Sequence, residues 1–145
     1  MRMLESVTLR QVFIHIHIPT DVHLETARLN DSVDQARAFL STWFSDWAQA
    51  PMTCSTWLLS PDLKEFLPED SRILRWQKAF DVQRDEDGKE SVLTCVFKLC
   101  GAQLKEGPDL HSLREDTILQ KKLKAFLLSG GTISNGSGPL VRRFE

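Results

Sequence analysis

Apolar and polar residues alternate at the start of the chain. Val12, Ile14, Ile16 and Ile18 fall on one side of an extended segment, and Phe13, His15 and His17 fall on the other. A period of two predicts a strand over Val7 to Ile18, ended by Pro19, which cannot donate to a sheet ladder. Thr20 to Asn30 reads as a connection. The period then changes. Val33, Ala36, Leu40, Trp43, Phe44 and Trp47 recur at helical spacing, and Ser32 with Gln35 matches a capping box, so a helix is predicted from Asp31 or Ser32 towards Pro51. Met52 to Leu59 is dense in bulky and β-branched side chains and reads as a second strand.

Ser60-Pro61 predicts a short helix, because serine caps and proline suits a first turn. Leu63, Phe66 and Leu67 form its inner side, and Pro68 stops it. Asp70 or Ser71 caps another short helix that points Ile73, Leu74 and Trp76 inward. Phe80 to Arg84 and Ser91 to Cys100 read as a β-hairpin around the Asp87-Gly88 turn signal. Glu106 to Asp109 is a loop. Thr117 with Gln120 is a second capping box. It opens a helix to about Ser129 that turns Leu119, Leu123, Phe126 and Leu127 inward and ends at Gly130-Gly131. Thr132 to Arg143 adds a short final strand. Strands and helices mix without strict alternation, which predicts an α+β domain, a mixed sheet with helices on its faces.

The chain has 145 residues, 41% hydrophobic and 26% charged, and so reads as a single domain over residues 1–145. A chain this long buries roughly two-thirds of its unfolded surface and needs no disulfide or metal to fold. Eighteen Lys and Arg against 20 Asp and Glu give a net charge of -2, which excludes general phosphate-backbone binding to nucleic acid. No apolar run approaches the roughly 20 residues that span a membrane. The opening residues, Met1 to Glu5, precede no small-residue cleavage site, so no signal peptide is read and the cytoplasm is expected. Cys54, Cys95 and Cys100 are odd in number and wrongly spaced for a disulfide framework or a zinc set, and read as reduced thiols.

His15 and His17 put two imidazoles on one strand face. Two ligands do not make a zinc site, and His23 would have to be the third, so metal is not expected. A base is the better use of an imidazole near neutral pH, with His17 first and His15 second. Cys54 reads as a buried structural thiol. Asn135-Gly136-Ser137-Gly138 has the composition of a phosphate loop. Pro139 and an extended tail follow it rather than a helix, so it reads as a flexible terminal turn. Lys121, Lys122 and Lys124 read as a solvated basic face; Trp43, Phe44, Trp47, Trp57 and Trp76 read as core, with an exposed aromatic patch for a partner or an apolar ligand as the alternative.

Taken together, Ile16-His17-Ile18-Pro19, Cys54-Ser55-Thr56-Trp57-Leu58-Leu59-Ser60-Pro61 and Leu67-Pro68-Glu69-Asp70-Ser71-Arg72-Ile73-Leu74-Arg75-Trp76-Gln77 form a pattern. Leu119-Gln120, Gly130-Gly131 and Gly136-Ser137-Gly138 continue it. The chain resembles the GNAT-like C-terminal domain of bacterial two-domain acyltransferase-like proteins, over about Val7 to Leu140. Thr56 stands where that motif has serine, Ser60 where it has aspartate, and Arg72 and Trp76 where it has asparagine and phenylalanine. The resemblance implies a GNAT-like fold, acyl transfer from a thioester to an amine, acyl-CoA as donor, and a separate N-terminal domain or partner chain. It places Trp57, Arg75 and Gln77 along a substrate groove. The Gln/Arg-x-x-Gly-x-Gly/Ala loop before a helix, which holds the CoA pyrophosphate in GNAT enzymes, has no match here. Weak autonomous acetyl-CoA binding is therefore expected. The alternative is a non-catalytic interaction or ligand-binding module on the same fold. A metal-dependent hydrolase using His15, His17 and His23 is the weaker third reading.

Overall fold

A computed structural model describes residues 12–19 and 22–145. Residues 7–11 of the predicted first strand lie outside the described residues. Among those described, four strands form one sheet. They are β1 (Ile14–His15), β2 (Met52–Thr56), β3 (Gln83–Asp87) and β4 (Ser134–Pro139), in the order β1-β2-β4-β3. β1 runs parallel to β2, and β4 is antiparallel to both β2 and β3, so the sheet is mixed. The α-helices are α1 (Thr26–Trp43), α2 (Arg72–Gln77), α3 (Lys89–Cys95), α4 (Ala102–Lys105) and α5 (Ile118–Leu128). The expected α+β architecture is present.

Local chemistry explains the elements that match expectation. The Ser71 hydroxyl accepts from Leu74 N–H at 3.2 Å and starts α2. At α5, Thr117 Oγ1 accepts from Gln120 N–H at 3.1 Å while Gln120 Oε1 accepts from Thr117 N–H at 3.2 Å, the reciprocal pair of a capping box. Gly130 ends this helix at φ +87°, a backbone angle that disfavours any residue with a Cβ.

Five expectations fail for identifiable reasons. Helix α1 starts at Thr26, before the predicted capping box, so Ser32 lies in its interior. Asn30 is used as a tether instead: its amide donates to Phe144 O at 3.0 Å and its carbonyl accepts from Phe144 N–H at 3.1 Å. The apolar stripe leaves the core at its C-terminal end, where Trp43 is 72% exposed and Phe44 and Trp47 are also exposed. The predicted hairpin is absent. Lys89 to Cys95 is helical, and Val92, Leu93, Val96 and Phe97 pack into a core with Leu63, Leu123 and Ile133. The Asp-Gly pair introduces this helix rather than a turn, with Asp87 accepting from Lys89 N–H at 2.9 Å. β3 pairs with β4, not with residues 91–100.

The fourth and fifth corrections fall near the C-terminus. Asn135 to Gly138 is no flexible turn but the middle of β4, bonded on both sides. Glycine permits it, since a Cβ on Gly136 would lie 1.9 Å from Leu59 O and one on Gly138 would lie 2.0 Å from Asp81 O. Lys124 is buried rather than solvated, and its Nζ donates to Leu113 O at 2.9 Å beside Glu115 at 3.5 Å. A second core joins Cys54, Leu59, Trp76, Phe80 and Phe144.

Candidate functional site

The pairing of β1 with β2 is short. Ile16 N–H donates to Thr53 O at 2.7 Å, and beyond that bond the two segments flank a cavity of about 420 Å³. Ile16 to Pro19 lines one wall and Cys54 to Leu58 the other. β2 ends earlier than the predicted Leu59 because Thr56 turns the chain: its hydroxyl accepts from Leu58 N–H at 3.3 Å and caps a single 3₁₀ turn, Trp57–Leu59. That turn carries Trp57 to the cavity wall, half-buried, instead of into the middle of a strand.

His15, His17 and Trp57 therefore share one cavity. The two imidazoles sit on the exposed side of the extended segment, as the alternation predicts, while Ile14, Ile16 and Ile18 are half-buried. The remaining two predicted groove residues are placed elsewhere. Gln77 is buried, and its amide donates to Leu58 O at 2.8 Å and to Ser60 O at 3.0 Å. It clamps the turn bearing Trp57 from behind and acts on the cavity through that turn. Arg75 lines a separate cavity of about 510 Å³ with Arg72 and His23. Among the described residues, no three His, Cys, Asp or Glu side chains come together as a metal site.

Cys54 also faces the 420 Å³ cavity, but burial pushes its thiol up to about 11, so it is protonated and poorly nucleophilic at neutral pH. Sequence reasoning missed Asn135. Its side chain lines the same cavity, yet its carbonyl oxygen is enclosed and meets no hydrogen-bond partner among the described residues. An orphaned buried acceptor costs roughly 1–3 kcal/mol, so this position suits a ligand that brings an N–H. The signal was alternation within Asn135-Gly136-Ser137-Gly138, masked by a composition that reads as a turn.

Asp62 stands in the turn that follows Ser60-Pro61, outside the cavity lining. Its carboxylate accepts from Ser134 N–H at 2.8 Å, from the Ser134 hydroxyl at 2.9 Å and from Arg84 at 2.7 Å, and its side chain is 12% exposed. Burial raises its pKa, but these hydrogen bonds and the Arg84 charge outweigh burial and leave it below the usual carboxylate value. The network ties the turn after β2 to the start of β4.

No curated protein sequence matches the chain. Among solved structures, it is similar to an acyltransferase in complex with decanoyl-CoA, at 29% identity and TM-score 0.76, over 89% of this chain and 40% of that one. It is also similar to an acyltransferase in complex with decanoyl-CoA and teicoplanin, at 26% identity and TM-score 0.69, over 87% of this chain and 40% of that one. The chain thus spans about two-fifths of the length of these neighbours. Among the described residues, no helix is long and apolar enough to cross a membrane. The model of the GNAT-like C-terminal domain family matches residues 5–140, and the chain belongs to that family.

Proposed function

We propose that this domain takes part in N-acyl transfer, holding an acyl-CoA donor so that its thioester meets an amine in the cavity lined by His15, His17 and Trp57. The observation that carries this reading is the convergence of two imidazoles and an aromatic wall on a 420 Å³ cavity where β1 and β2 part. In the reaction the amine nitrogen forms a C–N bond with the acyl carbon, the C–S bond breaks, and the amine loses a proton. His17 is the first candidate to take that proton and His15 the second. Ile16, Ile18, Trp57 and Leu119 give the acyl chain an apolar wall. Asn135 offers a carbonyl to an amine or amide N–H of the ligand, and Gln77 positions Trp57. A companion domain or chain supplies the remainder of the machinery. The three free thiols are consistent with a cytoplasmic setting.

The test is incubation with decanoyl-CoA and a panel of amines, followed by thiol release and the mass of the N-acyl product. His17→Ala should lower turnover at least tenfold while leaving decanoyl-CoA binding in place. Failure to bind decanoyl-CoA at millimolar concentration would overturn the reading. Binding with no turnover on any amine would favour the second reading, a ligand-binding module. One observation speaks for that module: Gly136 and Gly138 lie inside β4, not at a helix N-terminus where their amides could hold a pyrophosphate.

A further inference from the structure

A cavity of about 570 Å³ lies behind the turn that carries Trp57 and shares no lining residue with the cavity of His15 and His17. Stretches of chain remote in sequence build it. Lys64 comes from the 3₁₀ turn Pro61–Glu65, Lys78 is the C-cap residue of α2, and Arg142 follows β4. Backbone bonds fix the last two together: Ala79 O accepts from Val141 N–H at 2.9 Å and from Arg142 N–H at 3.2 Å. None of the three cations takes part in an ion pair among the described residues, and Glu69 is the acid in the lining. The local balance is positive in a chain whose net charge is -2. Leu74, Phe80 and Val82 give the same cavity an apolar wall. Gln77 also lines it and is only 5% exposed. The orientation of its amide is not free. Leu58 O and Ser60 O can only accept, so the nitrogen must face them, at 2.8 and 3.0 Å. The Gln77 carbonyl oxygen takes no hydrogen bond from the described residues and is left as an acceptor.

We propose that this cavity binds an N-acylated α-amino acid, with its carboxylate on Lys78, Arg142 and Lys64, its hydrocarbon on the apolar wall and its amide N–H on the Gln77 carbonyl. A carboxylate meets the Arg142 guanidinium through a two-bond fork, and two ammonium groups add charge of the same sign. A nearly buried acceptor is costly to leave unpaired, which favours a ligand that brings an N–H. Simpler anions match less of the site. Inorganic phosphate leaves the apolar wall unused, and a fatty acid leaves Gln77 without a donor. Two sources share the required chemistry, a free N-acyl amino acid and the C-terminal residue of a peptide. The site does not depend on the acyl-transfer reading, because none of its residues lines the cavity assigned to that reaction. Occupancy bears on that second cavity through one side chain, since Gln77 also holds the turn that carries Trp57.

The experiment titrates the full chain by calorimetry with N-decanoylglycine, with N-decanoylsarcosine, which keeps the carboxylate and the chain but has no N–H, with decanoate, which has no amide, and with an acetylated tripeptide ending in leucine. Wild type is compared with a Lys78→Gln/Arg142→Gln double variant, and Lys105→Gln/Lys121→Gln, which lines neither cavity, controls for net charge. All four substituted side chains are exposed, and thermal melts verify that the variants fold. N-decanoylglycine should bind wild type about fivefold or more tighter than N-decanoylsarcosine or decanoate. Its binding should weaken by about tenfold or more in the Lys78/Arg142 variant and should not change in the control. Failure of wild type to bind either N-decanoylglycine or the tripeptide overturns the site, and so does equal binding by the Lys78/Arg142 variant. N-decanoylsarcosine or decanoate bound as tightly as N-decanoylglycine also overturns it. Tighter binding of the tripeptide assigns the site to a peptide C-terminus and tighter binding of N-decanoylglycine to a free N-acyl amino acid; either order, with the losses above, upholds it.

Discussion

Gly136→Ala tests how closely β4 lies on its neighbours. The added methyl would sit 1.9 Å from Leu59 O, 2.4 Å from Leu59 C and 2.9 Å from Leu59 Cβ. Real contacts of this kind stay above 3.0 Å, so strand and turn must part by about 1.1 Å. Neither side yields easily. Gly136 is in register with Thr56 on one flank and Arg84 on the other, and the Leu58 and Ser60 carbonyls beside Leu59 are gripped by Gln77. A displacement of that size stretches ladder bonds beyond useful length. Two or three lost bonds at roughly 1 kcal/mol each, added to an overpacking cost of roughly 1–3 kcal/mol, give about 3–6 kcal/mol. That is a large part of the roughly 5–15 kcal/mol that holds a domain together. Urea unfolding, read by tryptophan fluorescence and circular dichroism, measures the loss. Gly130→Ala is the comparison: nothing lies within 4 Å of its Cβ position, but φ is +87°, so it should lose only roughly 1–2 kcal/mol. A Gly136→Ala protein within 1 kcal/mol of wild type would refute the argument that β4 is glycine-rich because of close backbone approach.

Asp62→Ala should destabilise by about 2–4 kcal/mol in chemical denaturation, since it leaves Ser134 N–H and Arg84 without their acceptor. Because the folded carboxyl lies below its ordinary 3.8, its contribution is complete above that value and disappears as pH falls through the lower folded one; an acid-unfolding profile identical in the variant would contradict this. Cys54 has the opposite sign: between the ordinary 9.0 and about 11 the unfolded thiol ionises first, so stability should fall by up to roughly 3 kcal/mol as pH rises across that window, a slope that Cys54→Ser should remove. Under native conditions a thiol reagent should label exposed Cys100 well before Cys54, by mass spectrometry of digests. Trp57→Ala should lower stability by only about 1–3 kcal/mol, because the ring is half-buried on a cavity wall, and should weaken decanoyl-CoA binding more than it weakens folding.

The parts of the fold that can be read from sequence are those decided within a few residues. Ser71 and Thr117 cap their helices with groups three positions away, and alternation from Ile14 to Ile18 states which side chains face in. The segment from Lys89 to Phe97 could not be resolved this way. Its apolar pairs, Val92-Leu93 and Val96-Phe97, satisfy either a buried strand or a helix, and the choice is made by Leu63, Leu123 and Ile133, which are remote in sequence. β4 is the extreme case, since its glycines look like a turn until Leu59 and Asp81 are brought against them. Around the candidate cavity, His15, His17 and Trp57 stand out by local pattern and motif, whereas Gln77 faces the back of the turn and Asn135 becomes visible only once β4 is seen as a strand.

The place of β4 in the sheet bears on how the chain is made. Synthesis runs from N- to C-terminus, so β1, β2 and β3 leave the ribosome before the strand that joins two of them. Until residues 134–139 emerge, β2 and β3 each present an unpaired backbone edge, and every β2–β4 pair closes a loop of about 80 residues. Such long closures slow folding. The interval before β4 arrives is thus when nascent chains are most apt to pair edge to edge with one another, and the run Gln83–Asp87, charged at four of its five positions, is well suited to discourage that pairing.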